Sequence, residues 1–283
     1  MTAIAIWLNN ETKSPALWAV AYTMVSSHNQ HQLTHNQHQL IGDAVKIWSL
    51  PIVCRRPDQD GCFSDTYFTQ TLGYSFAGST LMGQNAYLGL SPLLSNIISP
   101  SGYIPYLNDI ACQIRAYLSQ TFDAYKPVAA YNSLFEVALF GHCPRNNRLE
   151  IYCFRTKPEM GEYKLVMTAH QNLQEHDFVY LGDDPLSLKG EIKNAFAAEP
   201  SPGRMKSRAP RQVLAEHIAS KNSPTIGGDL QLAIVDKWGF RPYALGKPRV
   251  HGQPAAYFSY LGYELTEELI TVGEARVSLT AMF

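Results

Sequence analysis

An apolar run, Ala3-Ile4-Ala5-Ile6-Trp7, opens the chain without a proline or glycine, and a second run follows at residues 16–21. Between them stands a polar turn cluster, Asn9-Asn10-Glu11-Thr12-Lys13-Ser14-Pro15. Short apolar runs bounded by turn residues are strand-sized, and two so close together read as a hairpin of buried strands. A hairpin of that kind needs a fold that covers it. With 46% hydrophobic residues over 283 positions, the chain has the material for a substantial core.

The remaining segments say how the cover is made. Residues 44–51 form a third strand candidate, and residues 73–80 a fourth that narrows to small residues. Apolar spacing predicts a helix from Thr80, interrupted near Pro92, and a more regular one over residues 107–125 with Ile110, Ile114, Leu118 and Phe122 on one face. Strands are expected at 133–141, 148–156, 163–168 and 178–181, then a helix pair at 186–198 and 210–221 joined by Glu199-Pro200-Ser201-Pro202-Gly203-Arg204. A hairpin over 230–243 turns at Lys237-Trp238-Gly239-Phe240. Strands, two helices, strands, two helices and strands suggest two sheets face to face with helix pairs outside, a layered α+β domain. The whole of 1–283 reads as one domain, with a low-complexity insertion at 28–40 and a segment from about 244 to 283 that has no assigned role.

The insertion is a direct repeat, His28-Asn29-Gln30-His31-Gln32-Leu33-Thr34 followed by His35-Asn36-Gln37-His38-Gln39-Leu40. Four of the nine histidines fall in it at helical spacings, which suits either a metal site or a solvated low-complexity loop. Composition narrows the partners. The formal charge of −1 offers nothing to a phosphate backbone, so nucleic acid is not expected. Charged residues at 17% fall below the roughly 25% of ordinary soluble chains, which points to surface buried against further copies, a homo-oligomer. Five cysteines without a CxxC pair read as reduced thiols. Absence of an apolar run near 20 residues argues against a membrane partner, and the expected compartment is the cytoplasm.

Three places could carry chemistry. Removal of Met1 would leave Thr2 at the N-terminus, where its hydroxyl is a nucleophile and its own amine, with a pKa of about 7.7 to 8.0, a base. Small residues commonly follow an initiator methionine, so Thr2 alone decides little. Lys46 interrupts an apolar run. It belongs either on an outward or edge position with its ammonium in water, or beside Thr2. Gly73-Tyr74-Ser75-Phe76-Ala77-Gly78-Ser79-Thr80 suits either oxyanion donation from its amides or a tight strand-to-helix turn.

Taken in order, these pieces resemble the proteasome-type threonine peptidases among the N-terminal-nucleophile (Ntn) hydrolases. Thr2 heads the first strand, residues 16–21 resemble the second strand, and Val45-Lys46-Ile47 resembles the lysine strand. Phe76-Ala77-Gly78 resembles the small-residue strand end and Ile226-Gly227-Gly228 the late Gly-Gly turn. The likeness runs from residue 2 to about 243, and bacterial relatives of the proteasome look closer than the true subunits. The resemblance implies a four-layer αββα sandwich, hydrolysis of a peptide or unfolded protein through an acyl-enzyme, no metal and no cofactor. It further implies Thr2 as nucleophile, Lys46 as a fixed positive charge, and Gly78 as oxyanion donor. Ser26 and Ala77 would pair with an extended peptide, and Phe76 would wall a shallow side-chain pocket.

One departure stands against this. Where the family carries an aspartate that pairs with the lysine, and two residues later a basic residue, this chain has Tyr22-Thr23-Met24. An unpaired, partly buried Lys46 should lose pKa to desolvation. Asp43 is three residues from Lys46, an odd offset that points to the opposite face of a strand. The sequence therefore supports a threonine peptidase of reduced or altered activity, or a non-catalytic member kept as a subunit or binding module. An amidase or acylase using the same nucleophile fits the same residues.

Overall fold

The two opening runs become β1 (Ala3–Asn9) and β2 (Ala16–Tyr22), paired antiparallel with Ile4 opposite Ala21 and Asn9 opposite Ala16. The structure is a computed structural model that describes residues 2–11, 14–26, 39–129, 133–182, 187–199, 205–220, 226–249 and 256–282. Most of the repeat, together with its histidines, lies outside them. In chain order there follow β3 (Val25–Ser26), β4 (Gln39–Ile41), β5 (Ile47–Arg56), β6 (Asp65–Gly78), α1 (Thr80–Leu94), β7 (Ile97–Ile98) and α2 (Leu107–Ala129). Next come β8 (Phe135–Cys143), β9 (Arg148–Glu159), β10 (Glu162–His170), β11 (Phe178–Gly182), α3 (Leu188–Ala197) and α4 (Ala209–Ser220). The last part holds β12 (Leu230–Asp236), β13 (Gly239–Pro248), β14 (Ala256–Tyr260), β15 (Tyr263–Glu264), α5 (Glu267–Ile270), β16 (Thr271–Val272), β17 (Ala275–Arg276) and β18 (Thr280–Met282). The chain is mostly β-sheet with few helices.

Two large sheets carry the fold. In the first, the order is β11-β1-β2-β12-β13-β14-β15, with β18 alongside β13; in the second it is β10-β9-β8-β6-β5-β7. Three buried clusters explain why β1 and β2 are apolar on both faces. Ile4, Ile6, Leu17, Ala19 and Ala21 meet Ala77, Ala138, Phe140, Ile151 and Cys153 of the second sheet. On the other face of the first sheet, Ala5, Trp7, Trp18 and Val20 pack with Leu188, Ile192, Val213 and Leu214 of α3 and α4. The outward face of the second sheet, through Leu50, Tyr74, Phe76, Val137 and Phe154, packs with Leu90, Ile114, Leu118 and Phe122 of α1 and α2. Polar links pin the α3–α4 pair as well: Trp7 Nε1 and Asn9 Nδ2 both donate to the Ser207 carbonyl, at 2.8 and 2.7 Å.

Two expectations change here. The first helix is not interrupted near Pro92 but runs to Leu94, with the proline in its last turn. The segment without an assigned role supplies β14, β15 and β18, which extend the first sheet beyond β13. Its weak alternation follows from exposure, since β14 and β15 bury only Ser259 fully. Among the described residues no helix is long and apolar enough to cross a membrane.

Candidate functional site

Lys46 is not at an outward position. It immediately precedes β5, its side chain is 1% exposed, and its Nζ donates to the Met24 carbonyl at 2.6 Å while standing 4.1 Å from the centroid of the Tyr22 ring. Position 22 still faces the lysine, with an aromatic face where the resembled family has a carboxylate. Burial alone pushes the ammonium down from its ordinary 10.5 to about 7. With its pKa drawn down towards neutrality, the lysine is not held as a fixed cation.

Gln231 of β12 holds the backbone at this point. Its Oε1 accepts from the amides of Lys46 and Ile47 at 2.8 and 3.0 Å, and its Nε2 donates to the Ile47 carbonyl at 2.6 Å. The first sheet thus grips the start of β5 in the second through one buried side chain. Next to it the Thr23 hydroxyl donates to the Gly42 carbonyl and accepts from the Asp229 amide at 2.8 Å. Gly228, with φ +77°, must be glycine: a Cβ there would lie 2.4 Å from both the Gly42 carbonyl oxygen and the Thr23 hydroxyl. The late Gly-Gly turn is thereby explained as a packing requirement under Thr23.

Thr2 lies just ahead of β1 and is 7% exposed. Continuing the register of Ile4 opposite Ala21 brings it level with Thr23. On its other side runs β11. Gly182 there has φ +97°, and a Cβ on it would sit 1.8 Å from the Thr2 carbonyl oxygen and 3.4 Å from the Ala77 side chain. The Gly182 amide donates to Glu136 Oε2 at 2.8 Å, and Arg155 pairs with Glu136 at 3.2 Å while donating to the Tyr180 carbonyl at 2.6 Å. Sequence reasoning missed this pair. Its signal was the one that flagged Lys46, a charge inside an apolar strand.

The strand end at 76–78 is arranged by alternation. The Phe76 amide donates to the Lys46 carbonyl on the β5 side and the Ser79 amide to the Leu134 carbonyl on the β8 side, at 3.3 and 2.9 Å. The Gly78 amide, between them in sequence and in phase with Phe76, faces the β5 side beyond the point where β5 pairing stops at Ile47 opposite Ser75. Ala77, out of phase, turns its backbone to Glu136 of β8 rather than to that side. Phe76 is 1% exposed, stacks on Trp48 at 5.1 Å and packs over Gly83, so its ring belongs to the core under α1. Ser26 pairs through its backbone with Gln39 of β4. Asp43 accepts from the Tyr263 hydroxyl at 2.5 Å, away from the lysine. The structure thus places Thr2 and Ala77 on either side of Gly182, and the Lys46 backbone against Phe76, two residues before Gly78.

No family model matches this chain, and no curated protein matches it in sequence. Solved structures do match. Over 83% of its length the chain is similar to Anbu (ancestral beta-subunit) from Yersinia bercovieri, covering 81% of that chain at 12% identity with a TM-score of 0.50. Over 92% it is similar to the Anbu complex from Pseudomonas aeruginosa described as a helical assembly, covering 87% at 11% identity with a TM-score of 0.53. Over 86% it is similar to an Anbu (Gly-1) mutant from Hyphomicrobium sp. strain MC1, covering 85% at 11% identity with a TM-score of 0.51. At such identities the likeness is one of fold, and that fold is proteasome-related. It corrects the family expected from sequence: the matched structures are ancestral beta-subunit proteins and not Ntn-type threonine peptidases.

Proposed function

We propose that this chain is a non-catalytic or catalytically impaired proteasome-like subunit that binds extended peptide and assembles with further copies of itself. The observation that carries this reading is the state of Lys46, held by a backbone carbonyl and an aromatic ring with burial pulling its pKa to about 7. Without a carboxylate among the described residues to keep it protonated, it gives no dependable cation to lower the pKa of a hydroxyl at Thr2. The Gly78 amide, facing a side with no strand partner among the described residues, is placed to donate to an incoming peptide backbone, with which Ser26 is proposed to pair as well. Thr2, Ala77 and Phe76 then serve the architecture, as a strand head, a small contact between sheets and a core ring.

The buried clusters support a single domain of four αββα layers. Self-assembly is supported by Leu81 and Leu88, 59% and 67% exposed and two helical turns apart on α1. The description of one matched structure as a helical assembly agrees with it.

The test compares the parent chain with Thr2→Ala, after N-terminal mass determination, for capture of a fluorescent unfolded peptide and for its hydrolysis. Equal peptide binding and no Thr2-dependent hydrolysis are expected. A covalent adduct on Thr2, an ester from a β-lactone probe or a cyclic ether-amine from an epoxyketone probe, lost in Thr2→Ala, would overturn the reading.

A further inference from the structure

Between the sheets, at the end of β1 remote from Thr2, opens a cleft of about 490 Å³, a size typical of small-molecule sites. Leu8 lines it, six residue steps along the strand from Thr2, about 20 Å. Leu8, Leu149 and Leu173 form its apolar wall, the margin where the inter-sheet cluster is only partly buried. Facing them are Arg148, at the start of β9, and Lys237, in the exposed turn between β12 and β13.

The arrangement of donors is specific. Glu150 is fully buried behind Arg148 and accepts from Arg148 Nε at 2.7 Å, Tyr152 Oη at 2.7 Å and Asn146 Nδ2 at 2.9 Å. It fixes the guanidinium by its inner edge, and among the described residues the terminal nitrogens of Arg148 have no hydrogen-bond partner. Lys237 Nζ stands 5.0 Å from the Trp238 ring and within 4.0 Å of no described carboxylate. Its neighbour Asp236 is taken up by Arg241 and the Trp238 amide. No carboxylate lines the cleft among the described residues.

We propose that this cleft is a binding site for a monoanionic carboxylate carrying a short apolar group, clasped by Arg148 and Lys237 with its hydrocarbon against Leu8, Leu149 and Leu173. The charge count selects the class. Glu150 balances Arg148, which leaves one uncompensated cation, Lys237, and planar donors on Arg148 that match the two oxygens of a carboxylate. The leucines disfavour a bare dianion such as phosphate, whose hydration they cannot replace. Either a free small acid or the C-terminal carboxylate of a peptide ending in an apolar residue has this chemistry. The site is independent of the reading given to Thr2, and nothing in it requires turnover.

Calorimetric titration of the whole chain tests it with 4-phenylbutyrate, its neutral counterpart 4-phenylbutan-1-ol, inorganic phosphate, and a leucine-terminated peptide as free acid or amide. The butyrate should bind and the alcohol should not. Lys237→Met, in an exposed turn that leaves folding untouched, should weaken binding about tenfold, as should the charge-neutral pair Arg148→Gln with Glu150→Gln. Binding of the peptide acid as well as the butyrate identifies a peptide end as the source; binding of the butyrate alone identifies a free acid. Equal affinity for acid and alcohol, phosphate binding as tightly as the butyrate, no binding of either acid at millimolar concentration, or no effect of Lys237→Met would overturn the proposal.

Discussion

At Lys46 the fold works against an ionisation. Its pKa is about 7 folded and 10.5 ordinarily, so below pH 7 both states are protonated and the full cost of burying the charge is present. Stability then rises as pH climbs from about 7 to 10.5, above which the cost is gone. The span corresponds to about 5 kcal/mol. Lys46→Met should therefore stabilise the protein by a few kcal/mol at pH 7, less the value of the lost bond to Met24, and by almost nothing at pH 10.5. Urea unfolding at the two pH values checks this; a variant whose stability follows pH as the parent's does would refute it. Gly182 gives a second residue-scale expectation. Gly182→Ala forces a Cβ into the Thr2 carbonyl at φ +97° and should cost at least 2 kcal/mol, whereas Gly161→Ala, at φ +85° with open space around it, should cost about 1 kcal/mol. Equal losses would show that close approach to Thr2 is not what Gly182 supplies.

Among elements, the join of β12 to the start of β5 depends on Gln231. Gln231→Leu leaves two buried amides and one carbonyl without partners and should destabilise by about 2 to 5 kcal/mol. Amide exchange at residues 46 and 47 should rise ahead of the rest of β5; unchanged protection there would argue that the strand holds itself. Such a contact has no signature in a single chain, because Gln231 and Lys46 are joined by folding alone. What was legible was periodic. The buried hairpin, the regular helix with Ile110, Ile114 and Leu118, and the two-helix, two-sheet order follow from apolar spacing and turn residues. Gly227-Gly228 and Lys46 were visible as oddities whose purpose needed neighbours. The surroundings of Phe76 were illegible for the same reason, since a strand residue reads identically whether it faces a pocket or the underside of a helix. The Glu136 and Arg155 pair escaped because its two members lie on different strands.

For the molecule as a whole, exposed leucines on α1 and a low charge content call for company. Light scattering at micromolar concentration should give a mass above the 31.6 kDa of one chain, and Leu88→Glu should lower it. A monomer in both would remove self-assembly from the proposed function. The sheet order has a consequence of another kind. β2 ends at Tyr22 and its neighbour β12 begins at Leu230, while β1 waits for β11 at Phe178. A ribosome adding about 5 to 20 residues per second needs on the order of ten seconds or more to cover that interval. Throughout it the nascent hairpin, apolar on both sides and bare along both edges, is the stickiest thing the chain presents, and a holding chaperone that recognises such strands would find its client here at the very start of translation.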